Sequence, residues 1–233
     1  MDLLYFIGGG SPLLTLLYVG TFFFSIYAQM KVQSAFRTYS RIPNARQLTG
    51  MGLAASLKNS YSMEELSIEG VQGTLSDHYN PKTKSLGLSR EVAEGASVAA
   101  LAIVAHEMGH ARQDAESMPF LRFRNAVFPL TNIASNAALP IFLLGFWLGA
   151  GNLMDIGILL FGIVALFYLV TLPIEVNASK RGLAMLAQGG YLQGEEELRG
   201  ARHVLQAAAL TYIAALASSV VTVLRLLFLR SRR

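Results

Sequence analysis

Val98-Ala-Ala-Leu-Ala-Ile-Val-Ala-His106-Glu107-Met-Gly-His110-Ala-Arg-Gln-Asp-Ala-Glu116 is the stretch on which the fold turns. Ser97 just before it is an N-cap residue, and the spacing predicts a helix from Val98 to about Glu116. The run is strongly apolar, yet charge returns well short of the about 20 residues a bilayer crossing needs. It therefore reads as a buried helix inside a folded domain. Burying imidazoles and a carboxylate there without partners would be costly, so His106, Glu107 and His110 call for a common purpose.

That domain spans residues 31–125. A polar helix is expected over Gln33–Tyr39, and Asn44 is a candidate cap for a second helix running through about Leu57. Alternating apolar residues predict short strands near Leu66–Val71, Gly73–Asp77 and Lys84–Leu88, with Asn80-Pro81 as a turn. On either side lie four stretches long and apolar enough to cross a membrane. The first, within 3–30, reads as a retained anchor, having no basic stretch before it and no small-residue cleavage site. The second and third, about Val127–Ala150 and Leu153–Leu172 within 127–172, form a hairpin about a Gly151-Asn152 turn. Residues 173–203 form a helical segment on the domain's side of the membrane. The last stretch, 204–233, is a span or an interfacial helix, rich in Ala and Ser and ending in a basic tail. The fold class is thus a mainly α integral membrane protein of three or four transmembrane helices, carrying a small α+β domain with a short sheet.

Composition agrees. Of 233 residues 53 % are hydrophobic and only 15 % charged, against about 25 % charged in soluble domains. There is no cysteine, which excludes disulfide scaffolds, iron–sulfur clusters and cysteine nucleophiles. The net charge of +4 is modest, and in so apolar a chain it fixes orientation rather than binding nucleic acid. Lys31, Arg37, Arg41, Arg46, Arg112, Arg122, Arg124, Lys180 and Arg181 all fall on one side of the expected spans. The positive-inside rule puts that side, and the 31–125 domain, in the cytoplasm.

His106 and His110 stand at i and i+4, so both imidazoles project from one helical face and can reach a single Zn²⁺. Glu107 points beside them, where it can take a proton from an attacking water and return it to a leaving amine. Gly109 and Ala111 leave room for backbone or substrate. A catalytic zinc takes three protein ligands and one open position. Glu175 is the strongest third candidate: it follows Pro173, where the third span emerges on the side of His110. His78 is the runner-up and His203 a further option. A closed four-ligand site, with His78 or His203 in the last position, would instead mean a non-catalytic membrane adaptor pinned by structural zinc. A transporter is disfavoured, because Asp155 is the sole charge in spans two and three.

Gly73–Pro81, Leu86–Ser89, Ala105–Gln113, Leu172–Arg181 and Leu210–Ala214, in this order and spacing, resemble the YugP-type neutral zinc metallopeptidases of bacterial membranes. The resemblance covers nearly the whole chain. It implies a membrane-embedded, gluzincin-like endopeptidase, distantly similar to the HtpX-like membrane proteases, in a bacterial cytoplasmic membrane. It further implies His106, His110 and Glu175 as zinc ligands and Glu107 as general base. The family usually has Asp where this chain has Asn177; a residue there would orient a ligand histidine from behind, and Asn does so without charge.

The expected substrate is a peptide or membrane-protein segment bound in extended form beside the bilayer. The strand Lys84, Ser85, Leu86, Gly87 and Leu88 is the expected sheet edge for it. Tyr212, His203, Arg181 and His78 are the candidate donors to the oxyanion of the transition state.

Overall fold

A computed structural model describes residues 11–232. Residues 1–10 and Arg233, which hold the start of the expected first span and the end of the basic tail, lie outside the described residues. The elements run α1 (Pro12–Tyr39), α2 (Gly50–Ser60), β1 (Ser67–Val71), β2 (His78–Asn80), β3 (Ser85–Ser89), α3 (Arg90–Glu94), α4 (Val98–Ala115), α5 (Pro119–Leu148), α6 (Gly151–Gln188) and α7 (Gly194–Ser231). The chain is mainly helical, with one small sheet and four helices, α1, α5, α6 and α7, long and apolar enough to cross a membrane.

Two compact units divide these elements. One comprises residues up to Gln29, Arg122–Pro173 and Leu210 onward. Its helices bury a small cluster of Phe142, Phe146, Met154, Leu226 and Leu229. A Cβ added to Gly157 would lie 2.7 Å from the Cβ of Phe142, so only glycine lets α5 and α6 pack this closely. The turn between them is closed by Gly149 at φ 67°, a left-handed conformation that favours glycine. The turn falls at Gly149-Ala150 and α6 restarts at Gly151, not after the expected Gly151-Asn152 turn. Asp155 pairs with Arg230 at 2.9 Å, tying α6 to α7. Outward faces are apolar: Trp147 is 76 % exposed and Leu159 66 %, an arrangement that hydrocarbon accepts and water penalises.

The other unit comprises Met30–Leu121 and Ile174–Ala209. Its core gathers Leu53 and Leu57 of α2, Leu86 and Leu88 of β3, Leu101, Val104 and Met108 of α4, and Met185 and Leu186 of α6. Helix α4 forms where expected, and the Ser97 hydroxyl accepts from the Ala100 N–H as its N-cap. The polar helix expected over Gln33–Tyr39 is the continuation of α1 rather than a separate element. The expected cap at Asn44 is corrected to Thr49, whose hydroxyl accepts from the Gly52 N–H. Asn44 instead folds the preceding loop on itself, exchanging two hydrogen bonds with the Leu48 backbone. Asn serves either purpose through the same side-chain oxygen, and only the loop's path decides.

The sheet order is β1-β3-β2, with β1 parallel and β2 antiparallel to β3. The second strand lies at His78–Asn80, not at the expected Gly73–Asp77.

Helices α4 and α6 meet backbone to backbone. A Cβ on Gly109 would lie 2.5 Å from the Ala178 carbonyl oxygen, and one on Gly182 2.8 Å from the Ala105 carbonyl carbon. Farther along, the Gln113 side chain donates to the Ile174 carbonyl at 2.9 Å. The pairs 105–182, 109–178 and 113–174 step by four on each helix in opposite directions, so the helices are antiparallel with one turn per contact. Gly182→Val is expected to lower stability by about 1–3 kcal/mol, because backbone cannot yield as a side chain would. Thermal melting of the detergent-solubilised protein reads this, and a wild-type melting temperature would contradict the close approach.

Candidate metal centre

The antiparallel crossing puts Glu175 of α6 beside the two histidines of α4. Nε2 of His106 lies 3.2 Å and Nε2 of His110 3.4 Å from Oε2 of Glu175. The three donor atoms all fall within 4.8 Å of one another. Zinc bonds of about 2.0–2.1 Å in tetrahedral geometry put neighbouring ligand atoms about 3.3–3.4 Å apart, so both histidine–carboxylate separations match a coordination edge. The two rings stand nearly perpendicular, at 87°, each turning one nitrogen toward the carboxylate.

The remaining nitrogens are held from behind. Nδ1 of His106 shares a hydrogen bond with the Ser179 hydroxyl at 3.1 Å. The His110 Nδ1–H donates to Oε1 of Gln113 at 3.0 Å. The Gln113 oxygen keeps the His110 proton on Nδ1, which leaves the lone pair of Nε2 for the gap among the three donors. Gln113 is itself held, for its amide nitrogen donates to the Ile174 carbonyl and to Asn177 Oδ1, both at 2.9 Å. Asn177 Oδ1 also accepts from Arg181 Nε at 2.8 Å, and Arg181 reaches Glu116 at 2.7 Å. Asn177 was expected to orient a histidine directly; it does so only through Gln113. Both of its hydrogen bonds are accepted by Oδ1, so a carboxylate at this position could accept them equally. Gln113 and Ser179 were missed by the sequence reading. The available signal was position: Gln113 stands one turn after His110, and Ser179 one turn after Glu175.

Glu107 sits beside the cluster, and its Oε2 accepts the Tyr79 backbone N–H at 2.9 Å. Burial raises its pKa above the ordinary carboxylate value, against the lowering pull of the two imidazoles. The Tyr79 hydroxyl donates to Asp114 at 2.7 Å, and Lys84 pairs with the same carboxylate. Glu107 and Asp114 are two turns apart on one face of α4, so β2 is laid along the helix that carries the histidines.

The other sequence candidates have separate employment. His78 is exposed, its Nδ1 bonded to the Ser76 carbonyl at 2.9 Å. Its ring occupies the space a Cβ on Gly87 would need. His203 accepts or donates at 2.8 Å with the Tyr39 hydroxyl. Neither joins the donor group, and among the described residues no fourth His, Asp or Glu does. Tyr212 lies on α7 in the other compact unit. The strand Lys84–Leu88 is corrected: it is not an edge. Ser85–Ser89 is the central strand, paired to β1 along its length and to β2 over Ser85–Gly87, and all five residues are buried. A backbone already bonded on both sides cannot accept an added strand.

Residues 14–231 match the family described as "Putative neutral zinc metallopeptidase". The chain belongs to that family. It is 40 % identical over 210 residues to the "Putative membrane protease YugP" of Bacillus subtilis (strain 168), covering 89 % of this chain and 93 % of that protein. No solved structure matches. The family implies Zn²⁺, and the donor set of two imidazoles and a buried carboxylate suits that ion. Gln113→Leu is expected to weaken zinc binding about 10–100-fold, the usual effect of losing a ligand's supporting hydrogen bond. Chelator competition measures it; wild-type affinity would mean that Gln113 does not set the ring.

Proposed function

We propose that the protein is a membrane-embedded, zinc-dependent endopeptidase that cleaves membrane proteins, or their exposed loops and tails, at the cytoplasmic face of a bacterial cytoplasmic membrane. The observation that carries this reading is the three-donor group of His106, His110 and Glu175, with Glu107 beside it and no fourth protein ligand among the described residues. A structural zinc pin would favour a closed set of four.

A bound zinc would supply Lewis-acid polarisation of water and of the scissile carbonyl. The chain's own residues do the rest. His106, His110 and Glu175 would hold the ion. Glu107 accepts a proton from the attacking water and later delivers it to the departing amine nitrogen. The Tyr79 N–H holds the carboxylate on the side of α4 that faces β2.

The extended substrate is assigned to β2 rather than to the Lys84–Leu88 strand. In an antiparallel pair alternate residues turn their backbone groups away from the partner strand; in β2 that residue is Tyr79, whose N–H serves Glu107 and whose carbonyl would accept from the substrate. Orientation rests on the cations, since Lys31, Arg37, Arg41 and Arg46 follow the first span and Lys180 and Arg181 the third.

Two substitutions test the assignment on a detergent-solubilised chain with a model protein substrate. Glu107→Gln should keep zinc while cleavage falls by about 10²–10⁴-fold, the range for a lost general base. Glu175→Ala should lose the metal, because breaking a three-ligand set leaves only two imidazoles. Undiminished cleavage by Glu107→Gln would refute the general-base role, and unchanged zinc in Glu175→Ala would refute the third ligand.

A further inference from the structure

We infer that a groove between the second half of α6 and the first half of α7 binds one anionic phospholipid. The groove encloses about 380 Å³, within the roughly 300–1,000 Å³ usual for small-molecule sites. Val176 and Leu183 of α6 and Leu205 and Ala209 of α7 give it apolar walls. Lys180 and Arg202 stand in the same lining, both exposed. Neither has a hydrogen-bond or ion-pair partner among the described residues, although other cations of this unit, such as Lys84, Arg90, Arg112 and Arg181, are paired.

Two unmatched cations over an apolar trough ask for a ligand that is anionic at one end and hydrocarbon at the other. An inorganic anion would answer the charges and leave the trough wet; a fatty chain alone would leave the charges unanswered. The position fits a headgroup. Lys180 comes eight residues after Leu172, where the apolar run of α6 ends, and Arg202 eight residues before Leu210, where that of α7 begins. Val176 and Ala209 are the lining residues nearest those runs. Basic pockets between helices at the cytoplasmic boundary are suited to anionic headgroups, and long cationic side chains can lean back toward the interface. Ser179, which supports His106, also lines the groove, so the lipid would lie behind the metal ligand's support. The inference stands whether or not the protein cleaves peptides.

The test uses the full chain in mixed micelles of phosphatidylglycerol and phosphatidylcholine in equal amounts, with retained lipid counted by native mass spectrometry. Wild type should retain one phosphatidylglycerol with a preference of about thirtyfold, the selectivity that two surface cations supply. The double variant Lys180→Ala/Arg202→Ala should fall to near parity, with its melting temperature in phosphatidylcholine unchanged. Should it fail to fold, Lys180→Gln/Arg202→Gln keeps the side-chain length and is read the same way. The charge-matched control Arg41→Ala/Lys58→Ala should keep the full preference. Undiminished preference in the groove variants, an equal loss in the control, or displacement of the lipid by millimolar inorganic phosphate would each overturn the proposal.

Discussion

The metal centre depends on two helices touching through their backbones. Between α4 and α6 there is no layer of side chains at Gly109 and Gly182, and the carbonyl groups of Ala178 and Ala105 occupy the space that side chains would fill. Helices packed through ordinary side chains lie about 8–10 Å apart. At that distance a carboxylate on one would not regularly meet two imidazoles on the other within a coordination edge. The close crossing also aligns the supporting contacts, because Gln113 reaches the Ile174 carbonyl only when the four-residue register holds.

A second layer of order comes from Gln113. Its oxygen receives the His110 ring proton while its nitrogen serves two acceptors on α6. A side-chain amide is suited to this, having a donor and an acceptor in fixed relation. The amide thus sets its own orientation: with both protons spent on the Ile174 carbonyl and Asn177, only the oxygen remains for the histidine. Tyr79 plays a comparable part for Glu107, through its backbone on one side and its hydroxyl on Asp114 on the other.

Much of this was legible in the sequence. The helix from Val98, the hairpin and the fourth apolar stretch follow from hydropathy and capping, which are local properties. The histidine pair and Glu107 follow from helical periodicity. What local pattern could not supply was spatial order within the sheet. Lys84–Leu88 is the last strand before the metal helix in the chain, and nothing local distinguishes an outer strand of three from the middle one. The uniform burial of Ser85–Ser89 arises because β1 pairs in parallel across it, a contact made at long range. The supporting role of Ser179 was hidden for the same reason: it depends on the register between α4 and α6, which the sequence states only through its glycines.

Chain order gives the centre a built-in delay. Both imidazoles and Glu107 are synthesised first, while Glu175 comes only after the α5–α6 hairpin has been made. A polypeptide still emerging from the ribosome therefore has two nitrogen donors and no carboxylate to complete the set. Whatever reactivity the finished centre has is withheld from the half-made molecule.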